Sequence, residues 1–138
     1  MISFQCEGVN LPKIDVAALC RWISEVASGY NRKVGNIVYM FCGDDYILKT
    51  NREFLNHDYY TDIITFDYSN GNKIEGDILI SVDTVKSNAE KYNIAFDQEL
   101  KRVIIHGILH LCGIKDKTPE EREEMEKAEN KALTLYFN

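Results

Sequence analysis

The chain has 138 residues, 45% of them hydrophobic and 28% charged, which fits one domain over 1–138 with a core large enough to need neither disulfides nor a second subunit; a monomer is expected. A formal net charge of −6 argues against broad, nonspecific nucleic-acid binding through a basic face, though it leaves room for a local basic cleft. No apolar run approaches the ~20 residues that cross a bilayer, so no membrane partner is expected. Met1-Ile2-Ser3-Phe4-Gln5-Cys6 lacks the pattern of a signal peptide, and the widely spaced Cys6, Cys20, Cys42 and Cys112 read as reduced, mostly buried thiols of a cytoplasmic protein.

In chain order, Ile2-Ser3-Phe4 alternates as a short strand does. Asn10 can cap a helix starting near Leu11, with Pro12 in its first turn, Ile14, Ala18, Trp22 and Val26 on one face and Gly29 as the stop. Ile37 to Cys42 is an unbroken apolar run between Gly35 and Gly43 and reads as a buried strand. Asp44 or Asp45 can cap a short helix carrying Ile47, Leu48, Phe54 and Leu55. Asp62 to Tyr68 and Asp77 to Ser81 read as strands of a hairpin around the turn residues Ser69 to Asn72. Asp83 can cap a helix reaching about Tyr92.

Two helices follow. Asp97 can cap the first, with Leu100, Val103, Ile104, Ile108 and Leu111 apolar and Gly113 in the left-handed position that favours a stop. Thr118-Pro119-Glu120-Glu121 is a capping box with proline at the first helical position, and Met125, Ala128, Ala132 and Leu135 form the buried stripe behind it. The whole predicts an α+β fold, a mixed sheet of about four strands covered by helices.

The chemistry lies in His106-Gly107-Ile108-Leu109-His110-Leu111-Cys112-Gly113-Ile114-Lys115-Asp116. At about 100° per helical residue, His106 and His110 stand about 40° apart on one face, so both imidazoles can meet one ion about 2 Å away. Gly113 lets the chain double back and bring Asp116 to the same ion. Two nitrogens and one carboxylate oxygen leave a fourth position for water, as catalytic zinc sites do. The same donor set also suits nickel or another divalent transition metal. Cys112, about 200° round the helix from His110, should face away. The spacing matches the long zinc-protease motif with Asp116 in place of the last histidine, so a metalloprotease-like arrangement with the metal-binding helix near the C-terminus is expected. Gly107, however, stands where a zinc peptidase carries its general-base glutamate, and glycine moves no proton.

These residues resemble the YbeY family, the bacterial endoribonucleases and rRNA maturation factors, whose signature reads H-G-x-L-H-L-x-G-Y-D-H. Thr61-Asp62-Ile63-Ile64-Thr65-Phe66 is similar to the family's T-D-V-L-S-F strand, and Gly76-Asp77-Ile78-Leu79-Ile80-Ser81 to its G-D-I-x-I-S strand. The order and separation of the blocks also fit, over nearly the full chain. The resemblance implies a zinc-dependent endonuclease for single-stranded RNA, acting in 16S rRNA 3′-end maturation and ribosome quality control. Ribosomal particles and ribosome-assembly proteins would be its partners, and His106, His110 and Asp116 its metal ligands and, through the metal, its catalytic residues. Asp116 replaces the usual third histidine, and Ile114 and Lys115 replace the usual tyrosine and aspartate. Leu55 stands where the family carries an arginine, and Arg52, one turn earlier, is its candidate substitute.

The expected reaction is metal-assisted phosphodiester hydrolysis. Lys101, Arg102, Lys115 and Lys117 flank the motif and could hold phosphates, Tyr59 and Tyr60 could stack on unpaired bases, and His57 could line the cleft. Asp62 and Asp77 are the candidate proton acceptors. Two other readings fit the same residues: a ribosome-assembly binding module with a mainly structural metal, and a metal-dependent hydrolase of a small substrate.

Overall fold

A computed structural model describes residues 1–56 and 61–137. The expectations for His57, Tyr59 and Tyr60 lie outside the described residues. The elements run β1 (Ile2–Cys6), α1 (Val16–Gly29), β2 (Lys33–Cys42), α2 (Asp44–Phe54), β3 (Ile63–Asp67), β4 (Lys73–Ser81), α3 (Val82–Tyr92), α4 (Phe96–Leu111) and α5 (Pro119–Phe137). The expected mixed sheet is found, four strands in the order β1-β2-β4-β3. β1, β2 and β4 are parallel, while β3 returns antiparallel on β4 with Thr65 opposite Ile78.

Strand alternation divides the sheet into two apolar faces. Ile37, Tyr39 and Phe41 of β2 and Ile74, Ile78 and Ile80 of β4 join one large core with α1, α4 and α5, while Cys42, Ile64 and Leu79 turn to the opposite face and pack with Ile47 of α2. Each such fully buried side chain contributes about 1.5–3 kcal/mol relative to exposure. Polar groups in the large core are paired. Tyr39 Oη donates to the Ile104 carbonyl at 2.8 Å, pinning α4 to the sheet, and Trp22 Nε1 donates to the Ala132 carbonyl at 2.8 Å, pinning α1 to α5.

Several element starts differ from the sequence expectation. The first helix begins at Val16 with Asp15, not Asn10, as its cap; Asp15 Oδ1 accepts from Ala18 N at 3.1 Å, and Pro12 lies in the irregular stretch before it. Gly35 does not bound β2 but sits at its register shift, between Val34 and Ile37. Asp44 and Asp83 exchange helices. Asp83 Oδ2 accepts from Asp44 N at 3.0 Å at the start of α2, while Ser81 caps α3 and donates its hydroxyl to Asp44 Oδ1 at 2.6 Å. Ala95 precedes α4 and makes no side-chain cap, so Asp97 is a first-turn residue rather than the cap. Phe54, Leu55 and Leu135 are exposed, and Leu133 takes the buried place expected of Leu135. The predicted capping box does form, with Thr118 Oγ1 accepting from Glu121 N at 3.1 Å and Glu121 Oε1 accepting from Thr118 N at 3.0 Å.

Candidate metal centre

After an exposed first turn, α4 is buried from Glu99 to Leu111 except along the flank that carries Arg102, His106 and His110. His106 and His110 are 19% and 34% exposed at their side chains, enough for a small reactant to reach them. The helix ends as Gly113 takes φ +99°, and the N–H groups of Cys112, Gly113 and Ile114 fold back on the carbonyls of Ile108, His110 and Leu109. The connection to α5 is then held at its far end by the capping box and by Arg122 Nη1, which donates to the Lys117 carbonyl at 2.7 Å. Asp116 lies between these two anchors.

The result is a convergent donor set. Asp116 Oδ2 is 3.2 Å from His106 Nε2, and Asp116 Oδ1 is 3.3 Å from His110 Nε2. One ligand atom from each of the three residues lies within 4.8 Å of the others, close enough to hold one metal ion. Cys112 is buried and stands outside this group, as its helical phase predicts. The chemistry of the set fits a divalent cation. His106 faces carboxylates from both ring nitrogens, Glu129 Oε2 at 2.7 Å from Nδ1 and Asp116 from Nε2. A neutral imidazole has only one proton to donate, so the arrangement needs either an imidazolium or a cation between Nε2 and Asp116. Burial works against charging this ring, yet the hydrogen bond to Glu129 and the negative charges of Glu129, Asp116 and Asp62 outweigh it and raise His106 above its ordinary range.

Gly107 has a structural reason. A Cβ there would lie 2.9 Å from Ile78 Cδ1 and 3.2 Å from Ile63 Cδ1, because α4 rests directly on β3 and β4. The position that a zinc peptidase gives to glutamate is here filled by the sheet.

Two cavities meet at the cluster. One of about 610 Å³ lies against α3, α4 and α5 and is lined by Tyr92, Arg102, Arg122 and Glu126 among others. The other, of about 330 Å³, runs over β3 past Thr61, Thr65 and Asp67. His106, Asp116 and Asp62 line both. Burial pushes the Asp62 carboxyl above its ordinary value, with His106 pulling it down and Glu129 adding to the rise. Asp77, the other candidate proton acceptor, lines neither cavity and accepts a hydrogen bond from Tyr68 Oη at 3.4 Å.

The four flanking cations separate. Lys101 is buried, paired with Asp97, and its amine lies 4.5 Å from the centre of the Tyr136 ring. Its helical phase carries it to a hollow that it lines with Ile14 and Leu19 on the α1 side, and it lines neither cavity at the cluster. Arg102 reaches the larger cavity but bonds Glu129 Oε1 at 2.8 Å and Asn130 Oδ1 at 2.7 Å. Lys115 and Lys117 are exposed on either side of Asp116. Arg52 is exposed in the last turn of α2 and is not among the described residues that line the two cavities.

Sequence reasoning missed Glu129. Its signal was a carboxylate one turn after Met125 and one turn before Leu133, inside the buried stripe of α5. Glu99, also buried, was missed for the same reason; burial raises its carboxyl, and the charge of Asp62 raises it further.

The family described as Endoribonuclease YbeY matches residues 2–136. The chain belongs to the YbeY family. It is similar to the Endoribonuclease YbeY of Phocaeicola vulgatus, 62% identical over 98% of each chain. It is also similar to that of Bacteroides thetaiotaomicron, 56% identical over 97% of this chain and 98% of the other. Among solved structures, TM1509 from Thermotoga maritima matches 99% of this chain and 91% of its own with a TM-score of 0.64 at 25% identity. In this YbeY chain the His-His-Asp cluster lies late in the sequence, on α4 and the connection to α5.

Proposed function

We propose that this chain is a metal-dependent endoribonuclease, a hydrolase of phosphodiester bonds in single-stranded RNA, whose metal is zinc held by His106, His110 and Asp116. The observation that carries the reading is the convergence of the three side chains at the junction of two solvent-reached cavities. The names of its relatives support the endoribonuclease part. Zinc in this position would supply an acidified water and a Lewis acid for a phosphoryl oxygen. The chain's own residues supply the rest. Asp62, open to both cavities beside the cluster, accepts a proton from the attacking water. Lys115 and Lys117, exposed next to Asp116, hold flanking phosphates. Arg52, exposed in the last turn of α2, adds positive charge for RNA from outside the cavities.

The biological setting follows the same reading: maturation of the 16S rRNA 3′ end and ribosome quality control, in the cytoplasm, on ribosomal particles, by a monomer acting as one domain. No described helix is long and apolar enough to cross a membrane. The test is cleavage of a single-stranded RNA by purified protein, with zinc content measured on wild type, His110→Ala and Asp116→Ala. Cleavage that both a chelator and His110→Ala abolish is the expected result. Intact RNA with co-sedimentation on ribosomal particles would replace the enzyme with a binding module, and turnover of small esters alone would replace RNA as substrate. Unchanged zinc in Asp116→Ala would remove Asp116 from the ligand set.

A further inference from the structure

Glu129 stands on α5, a different helix from either histidine, and both its oxygens are committed. Oε2 lies 2.7 Å from His106 Nδ1, and Oε1 accepts from Arg102 Nη1 at 2.8 Å. Arg102 in turn donates through Nη2 to Asn130 Oδ1 at 2.7 Å, so its planar fork spans two successive residues of α5. Glu129 is 8% exposed, within the stripe that also buries Met125 and Leu133. An ionised carboxylate in such a place is costly unless it is paired and hydrogen-bonded, and Arg102 is the counter-charge. Among the described residues, His110 has no corresponding carboxylate on Nδ1.

We propose that Glu129 is the positioning residue of the cluster, fixing His106 with its proton on Nδ1 and its Nε2 lone pair toward Asp116, and that Arg102 serves the site by holding Glu129 rather than by gripping substrate. A carboxylate accepts from a ring N–H, and the single proton of the neutral ring goes to the closer acceptor, Glu129 at 2.7 Å from Nδ1 against Asp116 at 3.2 Å from Nε2. The remaining nitrogen is then the metal-ligating one, and the ring cannot swing without breaking a charge-assisted bond. Histidine ligands in metal sites generally need such a partner, and its loss lowers metal affinity about 10–100-fold. The assignment rests on the metal reading above but reaches a property of the protein that exists without metal.

The experiment therefore begins with metal-free wild type, whose histidine tautomers are read from long-range proton–nitrogen correlations of the imidazole rings at a pH where they are neutral. His106 is expected as the Nδ1–H tautomer; the Nε2–H tautomer would overturn the proposal. Zinc affinity, measured by competition with a chromogenic chelator, is expected to fall about 10–100-fold in Glu129→Ala. Glu129→Gln, which keeps an acceptor for Nδ1, should lose less, and Arg102→Lys should weaken zinc in the same direction instead of raising only the KM for RNA. Equal zinc affinity in wild type and both Glu129 variants would refute it. If Glu129→Ala does not fold, Glu129→Gln and the wild-type tautomer decide. A wild type that binds no zinc yet shows the Nδ1–H form would sink the proposed function and leave the orientation of His106 standing.

Discussion

Gly107 offers the sharpest test of how the site is built, because its position invites a simple substitution. Placing alanine there puts a methyl 2.9 Å from Ile78 Cδ1 and 3.1 Å from Ile78 Cγ2. Ordinary carbon contacts lie at about 3.5–4.0 Å, so α4 must lift by roughly half an ångström or Ile78 must leave its rotamer. Overpacking of this kind costs about 1–3 kcal/mol, offset by about 1 kcal/mol for alanine over glycine within a helix. The net expectation is a loss of about 1 kcal/mol. With a urea m-value of about 1–3 kcal/mol/M, the unfolding midpoint should fall by roughly 0.3–1 M at unchanged m. Gly107→Glu would drive a carboxylate against Ile78 and Ile63 and should cost several kcal/mol, a large part of the roughly 5–15 kcal/mol that holds a domain together. Urea titration of both variants, with zinc binding on whichever folds, is the assay. A Gly107→Glu protein with the wild-type midpoint would refute the reasoning, since it would mean the sheet leaves room for the peptidase glutamate after all.

Gly76 is tighter still. A Cβ there would meet the Phe66 carbonyl oxygen at 2.4 Å, and backbone of the paired strand cannot swing aside, so Gly76→Ala should lose about 3 kcal/mol or more by urea unfolding. Burial, with Asp44 and Asp83 adding to it, pushes the Cys42 thiol up to about 12, and burial pushes Cys112 to about 11. In native protein at pH ~8 these two should resist a thiol-titrating disulfide reagent until urea is added, while exposed Cys6 reacts at once. Metal-free protein should lose stability as pH rises through neutrality. The raised folded value of His106 makes its contribution complete below the unfolded value of about 6.5 and lost as pH climbs through the folded one. Melting temperatures of wild type and His106→Gln from pH ~5 to ~9 check this; an equal slope in both would exclude His106 as the source.

Local patterns made the strands legible. The run from Ile37 to Cys42 and the two strands around Gly71 needed only alternation and turn chemistry, and the Thr118 capping box formed as written. Helix starts were less legible because several residues near each start can cap. Asp15 prevailed over Asn10, and Asp83 spends its carboxylate on the neighbouring helix, a choice made by tertiary proximity. In the site, His106, His110 and Asp116 could be placed from spacing on one helix and its following loop. Glu129 could not, since it arrives from α5, and nothing local says which face of α5 meets α4. Lys101 shows the converse limit. It lies near the motif in sequence, but five residues of helical rotation carry it to the α1 side.

The loop bearing Asp116 is fastened at both ends before any ion arrives, by Gly113 at one side and by the Thr118 cap with Arg122 at the other. Little chain freedom then remains to be surrendered on loading, which places this centre at the opposite pole from small zinc modules that collapse only around their ion. An ion bound in such a frame would be an exchangeable reagent, carried by a polypeptide whose loop is already in place.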